Sequence, residues 1–196
     1  MRYYYDTPDD QRWEADFIYM VHDSGDKYMH LLRFENRCYL MLATLGQDAD
    51  TLLKFDDDQF NCEKLIKYGN SYFVSGEWRN RYQLCRVTGK SLNWCKKMAI
   101  GVEVNHIETY LFNDHIYVRS TSEKAANEFR FRLVKFTLDG EKVYVLQFGN
   151  PANFYSVGLH FTNGLIYCVY YNEETKKLGV FTISEDGYNG PKGVNL

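Results

Sequence analysis

The segment Phe112 to Phe148, FNDHIYVRSTSEKAANEFRFRLVKFTLDGEKVYVLQF, alternates apolar and polar residues with a period of two and is rich in aromatic and β-branched side chains. Successive side chains of a strand point to opposite faces of its sheet, so this pattern suits a half-buried strand and not a helix. Asp139-Gly140 supplies a tight turn, and Ser120 to Glu128 a longer connection. The segment therefore predicts three strands joined by two hairpins.

Two short signatures extend this reading along the chain. The first is an aromatic residue, any residue, then Asn or Asp, with a second aromatic five positions after the first: Phe34-Glu35-Asn36 with Tyr39, Tyr68-Gly69-Asn70 with Phe73, and Phe112-Asn113-Asp114 with Tyr117. A fourth copy, Phe161-Thr162-Asn163, has one extra residue before Tyr167. Asn and Asp tolerate positive φ and bond their own backbone, which suits the bend between two strands. The second signature is Leu-x-x-aromatic or Val, then Asp or Thr, beginning at Leu52, Leu84, Leu133 and Leu178. Each pair keeps the same order, with the first signatures at 34, 68, 112 and 161 and therefore periods of 34, 44 and 49.

A fixed order at a period of roughly 40–50 residues resembles the repeat of a β-propeller, whose blades are four-stranded antiparallel sheets. The resemblance covers residues 28–187 and is to the architecture alone; no Trp-Asp, kelch or calcium nonapeptide signature accompanies it. It implies an all-β, propeller-like array of about four antiparallel blades, closed as a small propeller or left as an open arc. One domain over 1–196 is expected, with repeats at approximately 28–58, 59–98, 104–148 and 154–187. Residues 59–68 are too few to supply both an outer strand and the next inner strand, so either one blade lacks a strand there or the boundary is displaced. The Gly-rich tail from Glu185 shows little strand pattern, and Phe17 to Val21 is expected to complete the last blade in its place. An open arc would complete itself by self-association, since terminal repeats need capping.

Composition supports strands: 17 Tyr and 13 Phe stand against three Pro. A net charge of −3 gives no bulk electrostatic drive toward nucleic acid or acidic membrane, so neither partner is expected, though a local basic patch is compatible with it. The longest apolar runs are too short to span a bilayer. Five cysteines in no C-x-x-C spacing, three of them in strand patterns, read as free buried thiols. With no apolar signal region in the first residues, they lead to the expectation of a cytoplasmic protein.

Candidates for chemistry are sparse. The histidines His22, His30, His106, His115 and His160 show no helical metal spacing, although His106 and His115 could meet at a blade edge. Asp56-Asp57-Asp58 could hold a hard cation but stands where other repeats have a plain turn, and Asp9-Asp10 is weaker. No nucleophile elbow or phosphate-cradling glycine loop occurs, so no catalytic residue, metal or cofactor is assigned. Trp78-Arg79-Asn80-Arg81-Tyr82 differs in kind. Trp, Arg and Tyr anchor interfaces, and a hairpin turn would carry them outward. The competing expectation is that Trp78 folds back over its sheet. Trp78, Arg79, Arg81 and Tyr82 are thus the candidate partner-binding residues of a non-enzymatic, propeller-type interaction scaffold. The alternative is a ligand-binding or hydrolytic propeller whose loops build a funnel site.

Overall fold

The computed structural model describes residues 2–6, 12–47, 49–55, 60–79, 81–98, 106–124, 128–150, 154–162, 164–172, 174–185 and 187–195. Its strands form four sheets, each an antiparallel meander in chain order. The first sheet holds β1 (Arg2–Asp6), β2 (Arg12–Ser24), β3 (Lys27–Phe34), β4 (Arg37–Thr44) and β5 (Asp50–Lys54). The second holds β6 (Phe60–Tyr68), β7 (Ser71–Trp78), β8 (Arg81–Thr88) and β9 (Ser91–Lys97). The third holds β10 (His106–Phe112), β11 (His115–Lys124), β12 (Glu128–Thr137) and β13 (Lys142–Asn150). The fourth holds β14 (Phe154–Thr162), β15 (Leu165–Asn172), β16 (Lys177–Ser184) and β17 (Gly187–Asn195). The chain is all-β, four antiparallel meander sheets of the kind that form propeller blades.

The turns form for the reason the first signature suggests. Glu35 and Asn36 take φ values of 47° and 61°, and Asn113 and Asp114 take 45° and 56°. Two consecutive positive φ values make the primed turn whose twist matches a two-residue hairpin. Gly69 and Gly164 serve the corresponding bends at 57° and 71°. In the fourth blade Thr162 pairs with Leu165, so Tyr167, and not Ile166, holds the register position of Tyr117. Phe73, Tyr117 and Ile166 are fully buried; Tyr39 is half-buried.

Three expectations about strand assignment are corrected. The tail supplies its own fourth strand, β17, which pairs Val180 with Val194 and Thr182 with Lys192. An edge strand needs only one side of its backbone bonded, so its Gly and Pro residues are tolerated there. Phe17 to Val21 accordingly lies in β2 of the first sheet. The first residues form β1, whose Tyr4 pairs with Glu14. The short period of the first repeat now has an account. Its second signature falls in β5, the last strand of its sheet, whereas the others fall in the third strands β8, β12 and β16. Among the described residues no strand follows β5 in the first sheet, and β2 with β1 extends the opposite edge. The connection Ser120 to Glu128 is mostly strand, since β11 and β12 pair as far as Lys124 and Glu128; Ala125, Ala126 and Asn127 lie outside the described residues.

The chain falls into two compact units, Met1–Ala99 and Ile100–Leu196, each holding two blades, so four repeats read as one domain are grouped two and two. In the first unit, Met29, Leu31, Cys38 and Leu40 of the first sheet close on Phe60, Leu65, Val74 and Val87 of the second. Each such side chain removed from water contributes roughly 1.5–3 kcal/mol. In the second unit, Tyr117 and Leu133 close on Ile166, Cys168 and Ile183.

Polar ties reinforce both pairs of blades. Asp23, near the end of β2, forms an ion pair with Lys67 of β6 at 3.0 Å and accepts a hydrogen bond from the Tyr72 hydroxyl. That hydrogen bond and the Lys67 ammonium hold the Asp23 carboxyl below its ordinary pKa, against the opposing effect of burial. In the second unit Glu185 accepts from Asn113 Nδ2 at 2.9 Å and from Tyr117 Oη at 3.3 Å, and its carbonyl accepts from Lys135 Nζ at 3.0 Å.

The cysteine reading is also corrected. Cys38 and Cys62 form a disulfide between β4 and β6 with Cα atoms 6.2 Å apart, and Cys85 and Cys95 form one across β8 and β9. Strands from different blades bring Cys38 and Cys62 together although 24 residues separate them. Only Cys168, among the described residues, is a free thiol, and burial pushes it up to about 12. The free thiols on which a reducing compartment was expected are therefore reduced to one.

Candidate functional site: the Trp78 end of the second blade

The hairpin of β7 and β8 closes with Trp78 opposite Arg81 and Arg79 in the turn; Asn80 lies outside the described residues. Trp78 pairs with Arg81 on one side and with Phe60 on the other. Directly opposed residues share a sheet face, so Trp78 and Arg81 lie on one face, and the Gln83–Lys97 pairing places Lys97 on it too. That face is the one carrying Val74, Cys85 and Val87 into the core of the first unit. Trp78 sits at its margin, half-buried, packed against that core.

The expected outward placement holds for Arg79 and Arg81, both exposed. It is corrected for Tyr82, which is 5% exposed, and in part for Trp78. Alternation is the reason: Tyr82 follows Arg81 and so faces the opposite side of the sheet. The indole of Trp78 carries two cations. The Arg79 guanidinium lies 4.6 Å from its ring centre and the Lys97 ammonium 3.4 Å. Cations over an indole face are attracted by the ring quadrupole, by about 0.5–1 kcal/mol at exposed sites. Only the β8–β9 register brings Lys97 to Trp78.

Arg79 also has a backbone φ of 46°, in the left-handed region. That conformation costs a non-glycine residue about 1–2 kcal/mol and suits Gly or Asn far better. A tip occupied by Arg therefore spends conformational energy to present a guanidinium.

The other candidates do not assemble. His106 and His115 open successive strands, and the pairing of His106 with Thr121 and of Phe112 with His115 puts them at opposite ends of one hairpin. Six residues of strand separate them by about 20 Å. His22 Nε2 is 2.9 Å from the Gly25 carbonyl and His115 Nδ1 is 2.6 Å from that of Asn113, so both serve turns. His30 is held below its ordinary pKa by burial, and His160 is exposed. Asp9, Asp10 and the run Asp56 to Asp58 lie outside the described residues. Among the described residues, no group of three or more His, Cys, Asp or Glu is arranged to hold a metal ion.

One polar cluster escaped the sequence reading. Arg119 of β11, 2% exposed, forms an ion pair with Glu108 of β10 at 2.9 Å, and the Tyr110 hydroxyl donates to the same carboxylate. Burial, with help from that bond, pushes Tyr110 up to about 12. The signal was present as a charge in the middle of an apolar alternation, Val118-Arg119-Ser120, opposite Glu108 in register. Oε2 of the Glu108 carboxylate takes both Arg119 and Tyr110, and the pair ties β10 to β11.

No family model matches the chain, and no curated protein matches it. Among solved structures, a subtype N10 neuraminidase-like protein of A/little yellow-shouldered bat/Guatemala/060/2010 aligns with 89% of this chain and 57% of its own length, at 12% identity and a TM-score of 0.47. A neuraminidase-like protein from A/bat/Guatemala/164/2009 aligns with 86% of this chain and 50% of its own, at 11% identity and a TM-score of 0.46. A Synechocystis apocarotenoid oxygenase mutant follows at 8% identity and a TM-score of 0.35. The chain thus spans about half the length of the first two. At these TM-scores and identities the likenesses carry no activity over to this chain.

Proposed function

We propose that this chain is a non-enzymatic, propeller-type scaffold that docks a protein partner at the β7–β8 end of its second blade. The observation that supports the reading is the exposed cluster of Arg79, Arg81 and Lys97 around the Trp78 indole. Aromatic and arginine side chains are enriched among interface anchors, the aromatics for the area they bury and arginine for its fork of donors. The left-handed Arg79 adds to it, since that backbone conformation suits Gly or Asn better than Arg.

The reading is tested by placing a photo-crosslinking side chain at Arg81 and, as control, at the exposed Leu178. Irradiation in cell extract should give a discrete adduct from position 81 that excess unlabelled protein competes away. The same adduct from position 178, or none from 81, sinks the reading.

A further inference from the structure

We propose that the Cys85–Cys95 disulfide is a thiol–disulfide exchange site, opened by a dithiol reductant and closed again by oxidation, while Cys38–Cys62 stays shut. The two crosslinks differ in exposure. Cys95 lies exposed on β9, the edge strand of its sheet, whereas Cys38 is 0% and Cys62 2% exposed. Exposed disulfides exchange readily, and enclosed ones wait for the fold around them to open. Cys38 Sγ is also lodged against β6, 3.3 Å from the Phe60 carbonyl oxygen and 3.2 Å from the Cys62 amide nitrogen.

The exposed bond also points the right way. Cys85 and Cys95 are directly opposed in register, so both side chains rise from one face and the bond runs across the strands from β8 to β9. A thiolate attacks one sulfur from the side opposite the sulfur that leaves. With Cys85 0% exposed behind it, Cys95 Sγ is the sulfur attacked. The approach lies past β9, beyond which no described strand sits in this sheet. Gln83, two residues from Cys85 on the same face, is 8% exposed. Its Nε2 donates to Cys95 Sγ at 3.1 Å and to Cys85 Sγ at 3.8 Å. A donor shared by both sulfurs stabilises whichever carries negative charge as the bond breaks.

Exchange proceeds in two balanced steps. The first thiolate of the dithiol bonds to Cys95 Sγ, the Cys85–Cys95 bond breaks, and Cys85 leaves with the electron pair. The second thiolate then attacks the reductant's own sulfur, which frees Cys95 and leaves the reductant oxidised as a cyclic disulfide. The two protons of the dithiol end on Cys85 and Cys95. Reduction leaves β9 with its backbone ladder, the Lys97 ammonium over Trp78 and the Met98 amide donating to the Tyr82 carbonyl, but no covalent tie to β8. The bond spans a separation of 10 residues against 24 for Cys38–Cys62, so it constrains the unfolded chain less, and the reduced protein keeps its fold.

The test treats the full chain with graded dithiothreitol in the absence of denaturant, quenches with iodoacetamide and maps the alkylated peptides. Cys85 and Cys95 should be alkylated together, at least about tenfold faster than Cys38 and Cys62. Near-ultraviolet circular dichroism should persist, and oxidised glutathione should restore the bond once the reductant is removed. Hydrogen exchange should quicken at the β9 amides of the reduced protein and hold at those of β6 and β7. Cys95→Ser, at an exposed position, should quicken β9 exchange with no reductant present and leave Cys38–Cys62 as slow to open as before. Free thiols at Cys85 and Cys95 before any reductant is added overturn the proposal, as do equal opening rates for the two crosslinks. So does β9 exchange that neither reduction nor Cys95→Ser alters.

Discussion

Gly76 offers the sharpest check on how the second blade is packed. It pairs with Cys62, immediately beside the bulge at which β6 shifts register between Cys62 and Lys64. A Cβ built on Gly76 would stand 2.7 Å from the Cys62 Cα and 2.9 Å from the Asn61 carbonyl carbon, and closer still to the Asn61 oxygen. Those atoms are backbone, and Cys62 is further pinned to β4 by its disulfide with Cys38, so β6 has little freedom to retreat. Overpacking of this kind costs about 1–3 kcal/mol, and the upper end applies where backbone must move. Alanine recovers about 0.4–1 kcal/mol by restricting the unfolded chain. The net loss for Gly76→Ala should be about 2–3 kcal/mol. For a unit of this size that lowers the melting temperature by roughly 10–20 °C. The control is Gly158→Ala, where a Cβ meets nothing within 4 Å and its melting temperature should hold or rise slightly. Thermal melts followed by near-ultraviolet circular dichroism compare the two. A Gly76→Ala protein melting within about 2 °C of the parent would refute the close approach of β6 and β7.

Asp23→Asn should lose about 1 kcal/mol at neutral pH, a modest figure because the ion pair is partly solvated. Its folded-state pKa is lowered, so the stabilisation is present above the unfolded aspartate value of about 3.9 and is lost as pH falls through the folded value. Denaturant titrations of parent and variant should therefore converge in acid, and a gap that persists there would refute the tie. Replacing Cys38 and Cys62 together by alanine should cost about 3 kcal/mol on the loop-closure estimate. Peptide mapping without reductant should recover the Cys38–Cys62 crosslink, and two free thiols there would contradict the pairing. Trp78→Phe should melt close to the parent, because the buried indole nitrogen has no acceptor among the described residues, whereas Trp78→Ala should cost about 2–4 kcal/mol through its contact with the core. Equal melting temperatures for the two variants would place Trp78 outside the core margin.

Alternation and turn chemistry were legible in the amino acids because both are local. Phe112 to Phe148 announces its strands through a period of two. Asn36, Asn113 and Asp114 announce bends because their own backbones take positive φ. The candidate residues Arg79 and Arg81 were visible for the same reason, as expensive choices in a hairpin turn. What tertiary structure alone decided is everything carried by backbone pairing and register. The strand β17 is written in Gly, Asn and Pro, with no apolar rhythm, and exists because β16 offers it a row of peptide groups. The missing strand of the first repeat is replaced on the opposite edge by β1 and β2, a choice no periodicity encodes. Cys38 finds Cys62 only when two blades pack, and Lys97 finds Trp78 only through the β8–β9 register. A side-chain pattern reports which face of a strand is apolar. It carries no label for the neighbouring strand, and so neither the crosslinks nor the basic end of the second blade could be read before the sheets were paired.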